Sequence, residues 1–556
     1  MTRPDDETVE EHLHALHLQE EEDLARTLSQ KYNLPYLKLD SVTIDTTAVS
    51  LVPETEAREA ELAVVQMVGK KIKVAIRNPN SQSAHAILDN LKRKHYLPEV
   101  FMVSRHGLEH AWEKYKEAHR SQPFVSGVVY LAEARKTANV EHIRTLDQLR
   151  ETLEPLVRSE EERHTSLTVE VILATSLLLD ASDIHIEAEE QKTRLRLRLD
   201  GVLHDVMFFP ARIYDLLLSR IKLLSGIKLN IRQQAQDGRF TIREQSGDIE
   251  VRTSTLPGPY GESVVMRILS PKTIELSLEN LGMQEPVFRV MEAELKKPNG
   301  MILTTGPTGS GKTTTLYAFL KRINSPDINV VTIEDPIEYH LEGVNQTQVD
   351  SEQGYDFSNG LRSILRQDPD VILVGEIRDK ETAEIGMHAA LTGHLVFCTL
   401  HTNNAAGTIP RLIDLGVATN IIAPAINVAM AQRWVRRVGT HCREEYELVG
   451  DELKHIAAVV ADLPKPYEKP NLTHARVWRS VGCEQCGNTG FAGRVGIFEV
   501  FLIDDTIERL ILEAPSEVGV HEAAKKQGML TIHQDGALKT LAGLTTWAEV
   551  VRVTGE

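Results

Sequence analysis

The sequence predicts an α/β fold of several domains built around a phosphate-binding loop, and three observations carry that prediction. Gly306, Pro307, Thr308, Gly309, Ser310, Gly311, Lys312 and Thr313 form an unbroken G-x-x-x-x-G-K-T octet. An apolar, strand-like run at 301–303 precedes it and a helix-like run at 314–320 follows it. Further β-branched, apolar runs recur at 330–333, 371–374 and 395–400. In that setting the N–H groups of the loop and the N-terminus of the helix cradle a polyphosphate. Lys312 reaches the β- and γ-phosphates, and the Thr313 hydroxyl holds Mg²⁺. Nucleotide binding is the first functional expectation.

Composition narrows the rest. A chain of 556 residues holds about three or four domains, each large enough to bury a core. Four cysteines in that length fit a reducing compartment better than a disulfide framework. A formal charge of -18 argues against broad attraction to nucleic acid or anionic lipid. The chain opens with Asp5, Asp6 and Glu7 where a secretory leader would carry positive charge. The longest apolar stretch, 171–179, is far short of the roughly 18 residues a membrane span needs. A soluble, cytoplasmic protein that meets a membrane only through protein partners is expected.

Pattern divides the chain into five segments. Residues 1–117 alternate helical spacing with short β-rich runs, such as 72–76, and read as a small α/β domain. Residues 118–162 are charged and weakly apolar, as in a linker or a solvated helix with Leu146, Leu149 and Leu153 on one face. A second α/β segment spans 163–275, with strand-like alternation at 193–199 and a turn at Pro257, Gly258 and Pro259. The phosphate-loop domain occupies 276–436, and cysteine pairs with amphipathic helices fill 437–556.

Behind the phosphate loop, acids stand where strands should end. Glu334, Asp335 and Glu338 follow the run at 330–333, near where such domains present their phosphates, and a carboxylate there orients water. Glu376 follows 371–374, the position where phosphate-loop enzymes set an acid against Mg²⁺. His394 and His401 flank the run at 395–400.

These motifs together resemble the secretion ATPase superfamily of type II secretion and type IV pili. The resemblance rests on the octet, on T-I-E-D-P-I-E at 332–338, on R-Q-D-P-D-V-I-L-V-G-E-I-R-D at 366–379, and on T-G-H-L-V-F-C-T-L-H-T at 392–402. These are similar to the family's Walker A, Asp box, Walker B and His box. Upstream, A-S-D-I-H-I-E at 181–187, R-L-D-G at 198–201 and Q-D-G-R-F at 236–240 resemble its second N-terminal domain.

The resemblance implies a RecA-like ATPase domain, a preceding PAS-like domain, a small N-terminal α/β domain and a C-terminal cysteine and helical region. It implies a cytoplasmic homohexamer, working with an inner-membrane platform protein and a cytoplasmic adaptor, in which nucleotide sits between two domains and hydrolysis moves one against the other. Glu338 matches the glutamate that activates water, and Glu376 the one that serves Mg²⁺. Arg252 and Arg267 match arginines reaching the phosphates from the N-terminal side. His401 matches a sensor of the γ-phosphate, and Arg411 and Arg494 match further arginines of the site and ring interface. An arginine on a strand face can equally be a surface ion pair of little worth.

Two departures from the family pattern stand out. Cys483 and Cys486 supply one half of the family's C-x-x-C…C-x-x-C zinc motif, but the other half reads Gly439, Thr440, His441, Cys442. Three thiolates remain, and His441 is the candidate fourth Zn²⁺ ligand. Cys398, inside an apolar run, reads as a core thiol. Many pilus members open with an R-L-G helical pair that binds cyclic di-GMP, and nothing similar precedes Leu24. The acids Glu20, Glu21, Glu22 and Asp23 stand there, expected as a solvated helix start, so that dinucleotide is not expected to bind.

The sequence therefore points to a Mg²⁺-dependent ATPase driving pilin assembly, with type II secretion as the alternative. A nucleic-acid motor is disfavoured by the acidic charge, and an inactive scaffold by the presence of Lys312, Glu338 and Glu376.

Overall fold

The computed structural model describes residues 4–42, 44–49, 51–93, 96–118, 127–158, 162–244, 247–270, 277–513 and 515–555. The chain forms two compact units, 1–125 and 126–556.

The first unit is built on a three-stranded sheet. Strand Leu62–Val68 pairs antiparallel with Lys71–Ile76, which pairs in parallel with Leu97–Met102 through the helix Gln82–Arg93. Alternation in Lys71–Ile76 buries Ile72 and Val74 against Leu62, Val64 and Leu108. The indole of Trp112 donates to Leu62 O at 3.0 Å, which satisfies its N–H inside that core. The acids expected to start a solvated helix lie instead within a long helix, Pro4–Tyr32. Glu21 accepts from His106 N at 3.2 Å and Glu22 from Ser104 Oγ at 2.7 Å. Both carboxylates thus complement the positive N-terminal end of helix Arg105–Ala118.

The second unit begins with a seven-stranded sheet in the order Val128–Tyr130, Gln236–Glu244, Gly247–Gly258, Gly261–Leu269, Asp183–Ala188, Lys192–Leu199, Val202–Pro210. All neighbours are antiparallel except the first pair. The segment expected as a linker is part of this structure wherever it is described. Its strand Val128–Tyr130 edges the sheet, and its helix Leu146–Arg158 buries Leu149, Leu153 and Val157 in the core. The apolar face of Leu146, Leu149 and Leu153 read from the sequence is on this helix, but it packs on a core instead of being solvated, since one narrow stripe suffices when one face alone is covered.

A second seven-stranded sheet holds the phosphate loop, in the order Asn345–Gln348, Val330–Glu334, Val371–Val374, Leu395–Leu400, Gly300–Thr305, Ile426–Val438, Phe491–Leu502. The first six run parallel and the last antiparallel. The inner strands Gly300–Thr305, Val371–Val374 and Leu395–Leu400 are buried along their whole length, as a sheet covered on both faces requires. Strand Leu395–Leu400 lies between the strand that feeds the phosphate loop and the strand that leads to Glu376, which is the RecA-like arrangement.

The boundary expected after residue 436 falls inside strand Ile426–Val438. That strand and Phe491–Leu502 form a long hairpin-like pair whose far end carries the cysteines, so the C-terminal region continues the same sheet. Met301 and Val435 share one apolar core with Ile456, Ile511, Trp547 and Val550. An antiparallel pair of strands, Arg443–Glu447 and Arg476–Ser480, with helix Gly450–Ala461 between them in sequence, completes it.

Candidate functional site

Three glycines shape the phosphate loop between strand Gly300–Thr305 and helix Lys312–Ile323. Gly306, Gly309 and Gly311 hold φ of 150°, 79° and 93°, a region costly for other residues. A Cβ on Gly311 would stand 1.9 Å from Trp434 Nε1, so the helix can start there only if that position is bare. The loop closes on itself: Lys312 Nζ donates to Gly306 O at 2.7 Å and to Pro307 O at 3.2 Å. Among the described residues the buried hydroxyl of Ser310 has no hydrogen-bond partner, and a polyphosphate oxygen in the loop fits that need. Burial lowers the Lys312 ammonium's pKa and nearby Arg433 adds to this, while Glu376 and Glu338 oppose it.

Glu376 stands two residues beyond strand Val371–Val374 and contacts two side chains. His401 Nε2 lies 3.3 Å from its Oε2, and Arg378 pairs with its Oε1. Arg378 also reaches Asp335 at 3.2 Å, which joins the ends of two neighbouring strands. Sequence reasoning passed over Arg378, although it stands within the motif that placed Glu376.

Glu338 is partly buried in the turn segment after strand Val330–Glu334. Burial raises its pKa, Arg267 and Arg252 oppose that as positive charges, and Glu334 adds to it. Both arginines come from the antiparallel sheet, on strands Gly261–Leu269 and Gly247–Gly258. Arg252 donates to Ile337 O, next to Glu338, and to Glu250 at 3.1 Å. Arg267 Nε donates to Asp183 Oδ1 at 3.0 Å, an acid from the A-S-D-I-H-I-E segment whose other oxygen meets Arg198 at 3.1 Å. The structure thus brings Lys312, Glu338, Glu376, His401, Arg252 and Arg267 to one place. Arg494 lies farther along the sheet with its guanidinium 5.6 Å from the centre of the Trp434 ring. Arg411 is exposed on helix Thr408–Asp414, and among the described residues no polar side-chain contact ties it to the loop.

Arg433, which the sequence did not single out, lies buried beside the loop and donates to Gln432 O at 2.8 Å and Asn403 O at 2.7 Å. It connects the loop to the segment after His401.

The cysteine cluster forms a separate site. Sγ of Cys442 lies 3.7 Å from that of Cys486, which is 3.8 Å from Cys483. Tetrahedral zinc with Zn–S bonds of about 2.3 Å sets its sulfurs about 3.8 Å apart, so three corners of such a site are in place. His441 does not join them. It is exposed and is not among the ligand groups that lie close together there. Gly439 does face the cluster: a Cβ there would stand 3.2 Å from Cys442 Sγ, and its φ is not in the left-handed region. Cys398 is buried in the sheet, where burial pushes its thiol well up.

A phosphate loop, flanking carboxylates and an intervening strand that ends in histidine define an ATPase of the RecA-like class. The chain matches the family described as "Type II/IV secretion system protein" over residues 159–552, and belongs to it. Residues 32–122 match the MshEN domain. Type II secretion system protein E of Dickeya dadantii is 44% identical over 401 residues, 72% of this chain and 78% of that one. The type IV pilus assembly ATPase PilB of Myxococcus xanthus is 35% identical over 535 residues, 96% of this chain and 91% of that one. The Legionella pneumophila ATPase DotB shares the fold, with a TM-score of 0.50 at 22% identity over 71% of this chain and 98% of that structure. The protein is a secretion or pilus-assembly ATPase. Among the described residues no helix is long and apolar enough to cross a membrane.

Proposed function

We propose that this chain hydrolyses ATP to drive pilin polymerisation in a type IV pilus. The observation that carries the choice of system is coverage. The PilB relatives of Myxococcus xanthus and Thermus thermophilus align over 96% of this chain, including its first unit, whereas the similar type II proteins align over 70% to 76% and the PilB of Pseudomonas aeruginosa over 69%. Where they align, the type II proteins are 42% to 44% identical and the PilB of Pseudomonas aeruginosa 42%, so type II secretion stands as the second reading. Deleting the gene decides between them: loss of surface pili supports the first, and secreted proteins retained within the cell support the second.

In this reading the loop amides, Lys312 and Ser310 bind the phosphates. Thr313 and Glu376 would hold Mg²⁺, which would supply positive charge to offset that of the phosphates. Glu338, raised in pKa by burial, orients and deprotonates the attacking water. Arg252 and Arg267 stabilise charge developing on the transferring oxygens. His401, against Glu376, reports whether the γ-phosphate is present. The active form is a homohexamer, docked through protein partners on an inner-membrane platform. Cys442, Cys483 and Cys486 hold Zn²⁺ as a structural pin for the pair of strands that bears Trp434 and Arg494, with the fourth donor from outside the cluster.

A further inference from the structure

The segment that carries Glu338 is neither helix nor strand, and one side chain holds it at several points. Gln346 stands on the edge strand Asn345–Gln348. Its Nε2 donates to Tyr339 O at 3.0 Å and to Glu334 Oε1 at 3.1 Å, and its Oε1 accepts from Leu341 N at 2.7 Å. Gln348, two residues on, accepts from Ile337 N at 3.3 Å. The backbone is therefore fastened on both sides of Glu338. Glu334 is itself 3% exposed and accepts from Thr332 Oγ1 at 2.6 Å and from the hydroxyl of Tyr317, on the helix that leaves the phosphate loop. Gln346 thus links the Glu338 segment to the body of the sheet and to the phosphate-loop helix.

We propose that Gln346 is a positioning residue for hydrolysis: its amide fixes the backbone beyond Glu338 and so sets where that carboxylate stands against water. The proposal rests on the reading of Glu338 as the water-orienting group. Only an amide serves at this position, because one side chain must donate to a carbonyl and accept from an N–H at once. A carboxylate could not donate, and would stand as a second charge beside Glu334. The effect on rate is set by geometry, since misplacement by about 1 Å costs on the order of a hundredfold.

The test is steady-state and single-turnover ATP hydrolysis by the full chain, comparing wild type with Gln346→Ala and with Gln346→Met, which keeps length and volume without the hydrogen bonds. Both should lower kcat by about tenfold or more, with KM and ADP affinity within about twofold and an unchanged melting temperature. The acid limb of the kcat profile should move to lower pH, because a loosened segment admits water to Glu338. In a Glu338→Gln background, adding Gln346→Met should leave the residual single-turnover rate within about twofold. An unchanged kcat in Gln346→Met, an unmoved acid limb, or an equal loss in both backgrounds overturns the proposal. Full turnover by Glu338→Gln alone overturns the reading of Glu338, and is seen without reference to Gln346.

Discussion

Arg252 donates a hydrogen bond to the carbonyl of Ile337, the residue before Glu338, and so fastens the antiparallel sheet to the hydrolytic segment of the ATPase sheet. A surface ion pair would contribute only about 0.2–1 kcal/mol to stability. This contact instead reaches across two sheets to a backbone atom beside a proposed catalytic group, and its consequence lies in rate.

Arg252→Ala and Arg267→Ala should each lower kcat far more than they weaken ADP binding, because the charge they meet develops during transfer. A drop of about a hundredfold corresponds to about 2.7 kcal/mol of lost transition-state stabilisation. Stopped-flow ADP binding alongside phosphate release checks the split. A normal kcat in Arg267→Ala would leave only its pairing with Asp183.

Lys312→Ala should abolish tight nucleotide binding, whereas Glu338→Gln should bind ATP normally and turn over at least about a hundredfold more slowly. The pH profile adds a sign. Burial holds the Glu338 carboxyl above the ordinary range, and activity requires it ionised, so kcat should fall with decreasing pH through a pKa above that of an exposed glutamate. Equal losses of nucleotide binding in both variants would remove the division of roles.

Gly439→Cys should raise zinc retention under chelator and slow proteolysis of 442–486, since its Cβ would face Cys442 without a left-handed backbone. His441→Ala should leave zinc content unchanged, because that ring stands outside the thiol cluster. Elemental analysis of purified wild type and both variants checks this, and loss of zinc in His441→Ala would contradict it.

Glu549 pins helix Trp547–Thr554 to strand Ile426–Val438. Burial raises its pKa, but hydrogen bonds and charge from Arg436 and Arg552 outweigh that and hold it at about 2. A depressed carboxyl stabilises the fold above its unfolded pKa of about 4.3, and that contribution is lost as pH falls toward 2. Glu549→Gln should cost about 3 kcal/mol at neutral pH by leaving Arg436 unpaired, and should flatten the acid dependence of urea midpoints.

Much of the ATPase sheet was legible because its inner strands are continuous apolar runs ending in functional residues, as with Val371–Val374 before Glu376. The edge strand Asn345–Gln348 was not legible. It reads Asn, Gln, Thr, Gln, without an apolar residue, and becomes a strand only by pairing with Val330–Glu334. The strands Ile426–Val438 and Phe491–Leu502 were hidden by arginines and glycines whose places are decided by the partner strand.

By itself the sequence determined the phosphate loop, because three glycines and a lysine at fixed spacing can make that turn from local backbone freedom alone. It also determined which acids follow which strands. Tertiary structure decided what those acids meet. His401 at Glu376, Arg378 between Glu376 and Asp335, Arg252 beside Glu338 and Gln346 behind it depend on separate strands being brought within hydrogen-bond reach. Those approaches are set by sheet order and side-chain packing, which no local pattern of residues encodes.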